Sequence, residues 1–253
     1  MTKYIRFRSG SSDAYGILDG DTVRELRGGL FGDHSETGAV HQLGAVKLLY
    51  PCRPGKILAV GLNYKSHLGG RPQPAHPEIF YKPVTALQDP EGPIVLPRES
   101  TDVHYEGEIV VVVGKQVKNA SVDEARDAIF GVTCGNDVSE RNWQHGQGKD
   151  LQWWRAKGSD TFAPLGPAIV TGLDYGSLLL QTRLNGEVVQ KQFTSDLIFD
   201  CPTIVSRISG WVTLLPGDII YTGTPGSTRK LSPGDTVEVE IEGIGVLRNT
   251  VAA

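Results

Sequence analysis

Glu106 and Glu108 stand two residues apart in Tyr105-Glu106-Gly107-Glu108, directly before the apolar run Ile109-Val110-Val111-Val112-Val113. A β-branched run of this length favours a strand. Alternate residues of a strand face the same way, so the two carboxylates are predicted to sit side by side at its mouth. Like charges that close repel and raise each other's pKa. A shared cation relieves the repulsion, and paired carboxylate oxygens suit a hard ion such as Mg2+ or Mn2+, with Ca2+ also compatible. An isolated Glu-Gly-Glu is equally what a solvated strand end looks like, so a metal reading needs further ligands.

Asp137 offers one, in Asn136-Asp137-Val138-Ser139-Glu140-Arg141-Asn142-Trp143-Gln144. If a helix opens here, Asp137, Arg141 and Gln144 follow i, i+4, i+7 spacing and share a face. The same residues spell a capping box (Asp137 with Glu140) and an ordinary helix ion pair (Asp137 with Arg141). The readings are compatible, because a carboxylate at a helix start can also bind a metal. Glu106, Glu108 and Asp137 would leave about three open positions on an octahedral ion. Those positions suit a bidentate 2-oxo acid and a water. The ion would act as a Lewis acid on the keto group and stabilise an enolate. Arg141 could fork onto a carboxylate, and Gln144 could donate to developing oxyanion charge.

The elements that must position these residues are mostly strands. Asp19-Gly20 separates Ala14 to Leu18 from Thr22 to Leu26 as a hairpin turn. The stretch 28–44 shows little periodicity and is expected to be loop with a short helix. Pro51 to Gly55 is a joint between a small β-rich unit, residues 1–50, and the main domain, residues 51–253. Lys56 to Gly61 reads as a buried strand, and 63–79 as a polar excursion rich in Gly and Pro. Ser121 and Glu124 form a capping box that opens a helix ending near Gly131. Asn185-Gly186 joins Leu178–Leu184 to Glu187–Phe193 in a type I′ hairpin. A helix is predicted from about Pro202 to Ser209, capped by Asp200 and ended by Gly210. Near the C-terminus Val237, Val239 and Ile241 alternate with Glu238, Glu240 and Glu242, a half-exposed strand with solvated glutamates.

The chain has 253 residues, a formal net charge of −4, 31 glycines and 15 prolines. That length supports one large core with a small appendage, and the Gly and Pro content favours a loop-rich β fold. The acidic balance gives no nucleic-acid-binding surface. No apolar run approaches a bilayer span, and Met1-Thr2-Lys3-Tyr4-Ile5-Arg6-Phe7 lacks a signal-peptide core. Cys52, Cys134 and Cys201 are widely spaced and odd in number, as expected of a reducing cytoplasm.

In order, the chain carries Val60-Gly61-Leu62-Asn63-Tyr64 with His67, Phe80-Tyr81-Lys82-Pro83, Tyr105-Glu106-Gly107-Glu108, Asn136-Asp137-Val138-Ser139 with Arg141 and Gln144, Ala156-Lys157-Gly158, Pro216-Gly217-Asp218, Thr222-Gly223-Thr224-Pro225 and Glu242-Gly243-Ile244-Gly245. In this order and spacing it resembles the fumarylacetoacetate hydrolase superfamily over nearly its whole length. The resemblance implies an α+β fold, mainly β: a mixed β-sandwich or roll with a small N-terminal β-rich unit. It implies a divalent metal, Mg2+ or Mn2+, held by Glu106, Glu108 and Asp137, and a homodimer. It implies that Arg141, Gln144 and Lys157 surround the substrate carbonyls and that Lys82 and Thr224 line the pocket. On their own, Lys157 reads as a surface lysine and Thr224 as a turn residue.

Hydrolytic members commonly pair a lid histidine with a glutamate three residues later, which together activate water. Here His67 is present but the glutamate position is Gly70. Glu78 could replace it only if the lid folds back. The resemblance and the site chemistry make hydrolysis of a carbon–carbon bond in an acylpyruvate-type 2,4-dioxo acid the first expectation, with His67 activating water and Lys157, Gln144 and Arg141 steadying the oxyanion. The missing glutamate favours two alternatives: isomerisation of a 2-hydroxy-diene-dioate or tautomerisation of an oxaloacetate-type acid, and decarboxylation. A non-catalytic metal-stabilised binding module is the reading from a different class.

Overall fold

The computed structural model describes all 253 residues. Strands dominate, arranged in two main sheets with four short α-helices among them. This is the mainly-β α+β architecture expected. The larger sheet runs, in order, His34–Gln42, Thr22–Gly28, Ser12–Asp19, Thr2–Ser9, Ala163–Thr171, Ile129–Asn136, Gly107–Val113, Ile219–Tyr221, Ile57–Gly61 and Glu78–Lys82. The strands of the first fifty residues extend this sheet, because Thr2–Ser9 pairs antiparallel with Ala163–Thr171. The second sheet orders Glu187–Phe193, Leu179–Leu184, Thr236–Ile241, Gly245–Ala252 and Pro93–Val95. No helix is long and apolar enough to cross a membrane.

Gly107–Val113 is central and buried on both faces. Ile109, Val111 and Val113 pack into a core shared with Val239, Ile241 and Leu247 of the second sheet and with Ile204, Val205 and Ile208 of the helix Cys201–Ser209. Val110 and Val112 pack the other way, against Ile57, Leu165, Ile169 and Tyr221. Full burial is why the run reads as continuously apolar rather than alternating. Each of these side chains contributes about 1.5–3 kcal/mol by leaving water, which offsets the cost of burying carboxylates at the strand's mouth.

Turn and cap chemistry places most other elements as predicted. Asn185 and Gly186 both take positive φ, 53° and 84°, between Leu179–Leu184 and Glu187–Phe193, as a type I′ turn requires. Ser121 and Glu124 satisfy each other's backbone in a complete capping box, and Asp200 accepts from the Thr203 amide.

Four details differ from the sequence reading. The stretch 28–44 holds a nine-residue strand, His34–Gln42, and a single 3-10 turn, Leu43–Ala45, rather than loop and helix. This edge strand is exposed on nearly all residues, so neither face needed apolar side chains and no period-2 pattern arose. The helix opened by Ser121 stops at Ala128, and Gly131 lies inside the strand Ile129–Asn136, where a Cβ would collide with the Val170 carbonyl. No helix opens at Asp137. The helix is Arg141–His145, and its cap is Glu140, which accepts from the Trp143 amide. The tail glutamates are not simply solvated, since Glu240 pairs with Arg183 and Glu238 with Arg248.

Candidate active site

Strand register assembles the carboxylates. Gly107 pairs with Asn136 across the antiparallel strands Gly107–Val113 and Ile129–Asn136. The Asp137 amide then donates to the Glu106 carbonyl at 2.8 Å, and the Glu106 amide donates to Asn136 Oδ1 at 2.8 Å. A carboxylate 29 residues from Glu108 in sequence thereby joins the two that share a strand face. One oxygen from each of Glu106, Glu108 and Asp137 lies within 4.8 Å of the others, and the three residues are 4%, 1% and 1% exposed.

Cations surround two of the three acids. Lys157, buried in the helix Trp154–Gly158, donates to Glu106 Oε2 at 2.7 Å and to Asp137 Oδ2 at 2.6 Å. Lys82 donates to Asp137 Oδ1 at 2.5 Å and to the Lys157 carbonyl. Arg141 donates to Glu106 Oε1 at 2.6 Å. Glu108 has no such partner; it accepts the Gly223 amide at 2.6 Å.

The electrostatics follow. Burial pushes the Glu106 carboxyl up, but Lys157, Arg141 and His67 outweigh it and hold it well below the usual carboxylate range. Burial raises the Glu108 carboxyl far above that range, and the charges of Asp137 and Glu106 add to the effect. Burial lowers Lys82 despite the pull of Asp137. Burial also opposes charge on Lys157, yet Asp137 and Glu106 overcome it and raise the ammonium's pKa. Glu108 is thus a buried carboxyl with two acids beside it and no protein cation of its own. A hard divalent ion at the three carboxylates would supply the missing charge, so the donor set fits Mg2+ or Mn2+.

A cavity of about 670 Å3 opens over Glu106 and Glu108, and Asp137 is not among the residues that line it. Glu106, Glu108, Arg141, Gln144, Lys157 and Thr224 all reach it, and so does His67. Lys82 does not; it stands behind Asp137, fully buried, and helps to fix that carboxylate and the Lys157 backbone. Arg141 pairs with Glu106 rather than with Asp137. Thr224 donates to the Gly107 carbonyl at 2.9 Å and accepts from Gln190 at 2.8 Å, which ties the Thr222-Gly223-Thr224-Pro225 turn to the carboxylate strand.

His67 lies in the 3-10 turn Lys65–His67. Its Nδ1 is 2.5 Å from the Gly226 carbonyl. A carbonyl can only accept, so Nδ1 donates to it and Nε2 is the ring nitrogen left facing the carboxylates. Nε2 is 3.9 Å from Glu106 Oε1. Gly70 takes φ +84°, a left-handed conformation that side chains rarely adopt, so the backbone there as well as the residue type departs from a His–Glu lid. Glu78 opens the strand Glu78–Lys82 at the cavity wall and is exposed.

Three contributors were not legible beforehand. His104 contacts Asp102 through Nε2 at 2.9 Å and Thr228 through Nδ1 at 2.8 Å. The Asp102 carboxylate requires a proton on Nε2, so Nδ1 accepts the Thr228 hydroxyl proton. Thr228 Oγ1 in turn accepts from Arg141 at 2.9 Å. Arg141 also donates to Gln144 Oε1 at 2.8 Å. These contacts occupy both protons of Arg141 Nη2 and one of Nη1, leaving the other Nη1 proton, the Nε proton and the Gln144 amide without protein partners. Asp102 and His104 lie on one segment, His104 within the short strand Val103–His104, while Thr228 comes from far along the chain, and only the Asp102-x-His104 spacing hints at the contact.

Residues 56–252 match the family model described as fumarylacetoacetate (FAA) hydrolase C-terminal, and residues 2–51 match one described as Rv2993c-like, N-terminal. The chain is 45% identical to Protein Rv2993c of Mycobacterium tuberculosis over 97% of its length and 96% of that protein. It is 43% identical to oxaloacetate tautomerase FAHD2A, mitochondrial, of Bos taurus, over 79% of this chain and 67% of the relative. Its structure is similar to the crystal structure of 2-hydroxyhepta-2,4-diene-1,7-dioate isomerase from Mycobacterium marinum, with a TM-score of 0.92, 43% identity and coverage of 100% and 98% of the two chains. The family includes hydrolases and isomerases or tautomerases. A match to most of the chain by its model, together with these identities, makes this protein a member of the fumarylacetoacetate hydrolase family.

Proposed function

We propose that this protein is a divalent-metal-dependent isomerase or tautomerase acting on a 2-hydroxy-dienoic or 2-oxo acid. The observation that carries the reading is the setting of His67: its Nδ1 is held by a backbone carbonyl, its Nε2 faces the carboxylate centre 3.9 Å from Glu106 Oε1, and no carboxylate is hydrogen-bonded to the ring as in a water-activating dyad. Keto–enol exchange needs only that a proton be carried between oxygen and carbon. The similarities to a tautomerase and to a diene-dioate isomerase support the same choice.

Glu106, Glu108 and Asp137 would hold Mg2+ or Mn2+, which when bound supplies Lewis-acid polarisation of the 2-oxo group. The protein's own groups do the rest. The free Arg141 Nη1 proton and the Gln144 amide bind the substrate carboxylate and fix its plane. Lys157 keeps its proton and balances negative charge that develops on the enolate oxygen. In the ketonisation direction His67 Nε2 takes the enol O–H proton and the resulting imidazolium returns it to the carbon as the double-bond electrons shift, which restores the neutral ring; the reverse direction runs the same transfers backwards. The net change moves one proton and one double bond, with no water consumed.

The test is a product assay with Mg2+ and with Mn2+ on the enol of oxaloacetate, a 2-hydroxy-diene-dioate and a 3-acylpyruvate. Double-bond or keto–enol shifts should outrun cleavage and decarboxylation. His67→Gln should lower kcat by about 10²-fold or more while metal binding is retained. Faster release of a carboxylic acid and pyruvate from the acylpyruvate would assign the site to hydrolysis instead.

A further inference from the structure

The cavity over Glu106 and Glu108 adjoins a second one, of about 1080 Å3, between the edge strand Glu78–Lys82 and the segment 151–160. Only Glu78, Phe80 and Trp153 line both. Glu78 is exposed at the start of its strand, so the two rings are what separates the cavities. Phe80 is 8% exposed, and Lys157 Nζ lies 5.1 Å from its ring centroid. Trp153 meets Phe80 edge-on at 5.4 Å and, on its other side, meets His145 edge-on at 6.1 Å. Lys157 and Gln144, the chain neighbour of His145, flank the head of the acid in the function proposed above. Trp153 therefore bridges the two, where the rest of the acid leaves its head.

The backbone is bent to put the indole there. Trp153 takes φ 56° and ψ 22°, a left-handed conformation that bulky side chains rarely adopt. Around it Leu151 and Trp154 are 94% and 65% exposed, whereas Trp153 is half-buried. The left-handed residue swings the indole inward and at once starts the helix Trp154–Gly158, whose Lys157 amide donates to the Trp153 carbonyl at 2.8 Å. Strain of this kind persists where the surrounding structure over-determines it, and it clusters at ligand sites.

We propose that Trp153 is a specificity-determining partition: it bounds the space for the tail of the acid and closes the second cavity to it. This rests on the function proposed above in placing the head of a 2-oxo or 2-hydroxy acid at Glu106, Glu108 and Asp137. Removing the indole joins the two cavities, so a tail too bulky for the first finds room in the second. Glycine suits a left-handed backbone, so Trp153→Gly relieves the strain as it opens the wall. Trp154 lines the second cavity alone; truncating it enlarges that cavity without breaching the wall, which provides a control.

Calorimetric binding to the Mn2+-loaded protein tests this, with 2-oxobutanoate and 2-oxo-4-phenylbutanoate as probes that share a head and differ in the tail. The quantity read is the ratio of the two affinities. Trp153→Gly should shift it about tenfold in favour of the phenyl acid, as a ring newly removed from water would give. Trp153→Asn, with a small side chain that also tolerates the left-handed backbone, gives an independent reading of the same shift should the glycine variant fold poorly. Trp154→Ala should keep the wild-type ratio. A ratio that stays at the wild-type value in folded Trp153→Gly or Trp153→Asn overturns the proposal, and so does an equal shift in Trp154→Ala, because general loosening of the segment would then explain the gain. Omitting Mn2+ tests the head on its own: 2-oxobutanoate binding to the wild type that persists unchanged without the ion refutes the metal-chelate reading of the function, whatever Trp153 does.

Discussion

Replacing Glu108 by glutamine should make the metal-free protein more stable and the metal-loaded protein less so. Glu108 is 1% exposed, its carboxylate oxygen lies at most 4.8 Å from those of Glu106 and Asp137, and its only hydrogen bond is from the Gly223 amide. Two unit charges that far apart repel by about 3 kcal/mol at an effective dielectric near 20. Attraction from Lys157 and the stronger bond that a carboxylate accepts from Gly223 offset part of this. A glutamine oxygen still accepts the Gly223 proton, so the net gain is about 1–2 kcal/mol, or about 2–8 °C in Tm for a chain of this size. The pH dependence has a definite sign. The folded pKa of Glu108 lies above its unfolded value, so stability linked to this group is full below the ordinary glutamate range and is lost as pH rises through the folded pKa. Metal-free wild type carries that deficit at neutral pH and the variant does not. With ion present at 100 times its Kd, wild type should gain about 2.7 kcal/mol, and the variant, short of one ligand, little of it. Calorimetric melting in EDTA and in Mn2+, from pH 4 to 8, reads both effects. A variant that melts lower than wild type in EDTA, or that gains as much from Mn2+, would refute the view that Glu108 is held in place for a cation.

Other substitutions probe the supports of the site. Thr228→Val keeps the shape of the side chain but breaks the link between His104 and Arg141; kcat/KM should fall about tenfold with metal affinity unchanged, and Thr228→Ser should restore it. Equal impairment of the two variants would instead point to packing. Tyr221→Phe removes a fully buried hydroxyl that donates to the Pro164 carbonyl at 2.9 Å; chemical denaturation should show a loss of about 1–3 kcal/mol, with the steady-state constants nearly unchanged.

Local features carried much of the architecture. Two-residue turns, caps and β-branched runs act over a few residues, so Asn185-Gly186, Ser121 with Glu124, Asp200 and the strand Gly107–Val113 were readable from composition and spacing. The exposed strand His34–Gln42 was not, because its pairing is set by backbone hydrogen bonds to Thr22–Gly28 and leaves no hydrophobic pattern. Asp137 shows the same division at the site. Its local spacing suggested a helix start, but the chain remains extended through Ser139–Glu140, and a strand register set across the sheet aligns it with Glu106.

The sequence by itself determined that two carboxylates share the mouth of a buried strand, since period-2 geometry and a run of apolar residues need no knowledge of the rest of the molecule. The resemblance to the family added that Gly70 stands where hydrolytic members carry the glutamate that partners a histidine at the position of His67. Only the tertiary structure decided which charges are paired. Lys157 and Arg141 reach Glu106 across 51 and 35 residues of sequence, Lys82 reaches Asp137 across 55, and Glu108 is left without an ionic partner. Pairing depends on distances of a few ångströms between segments far apart in the chain, and electrostatic energy in a buried site depends on those distances and on burial.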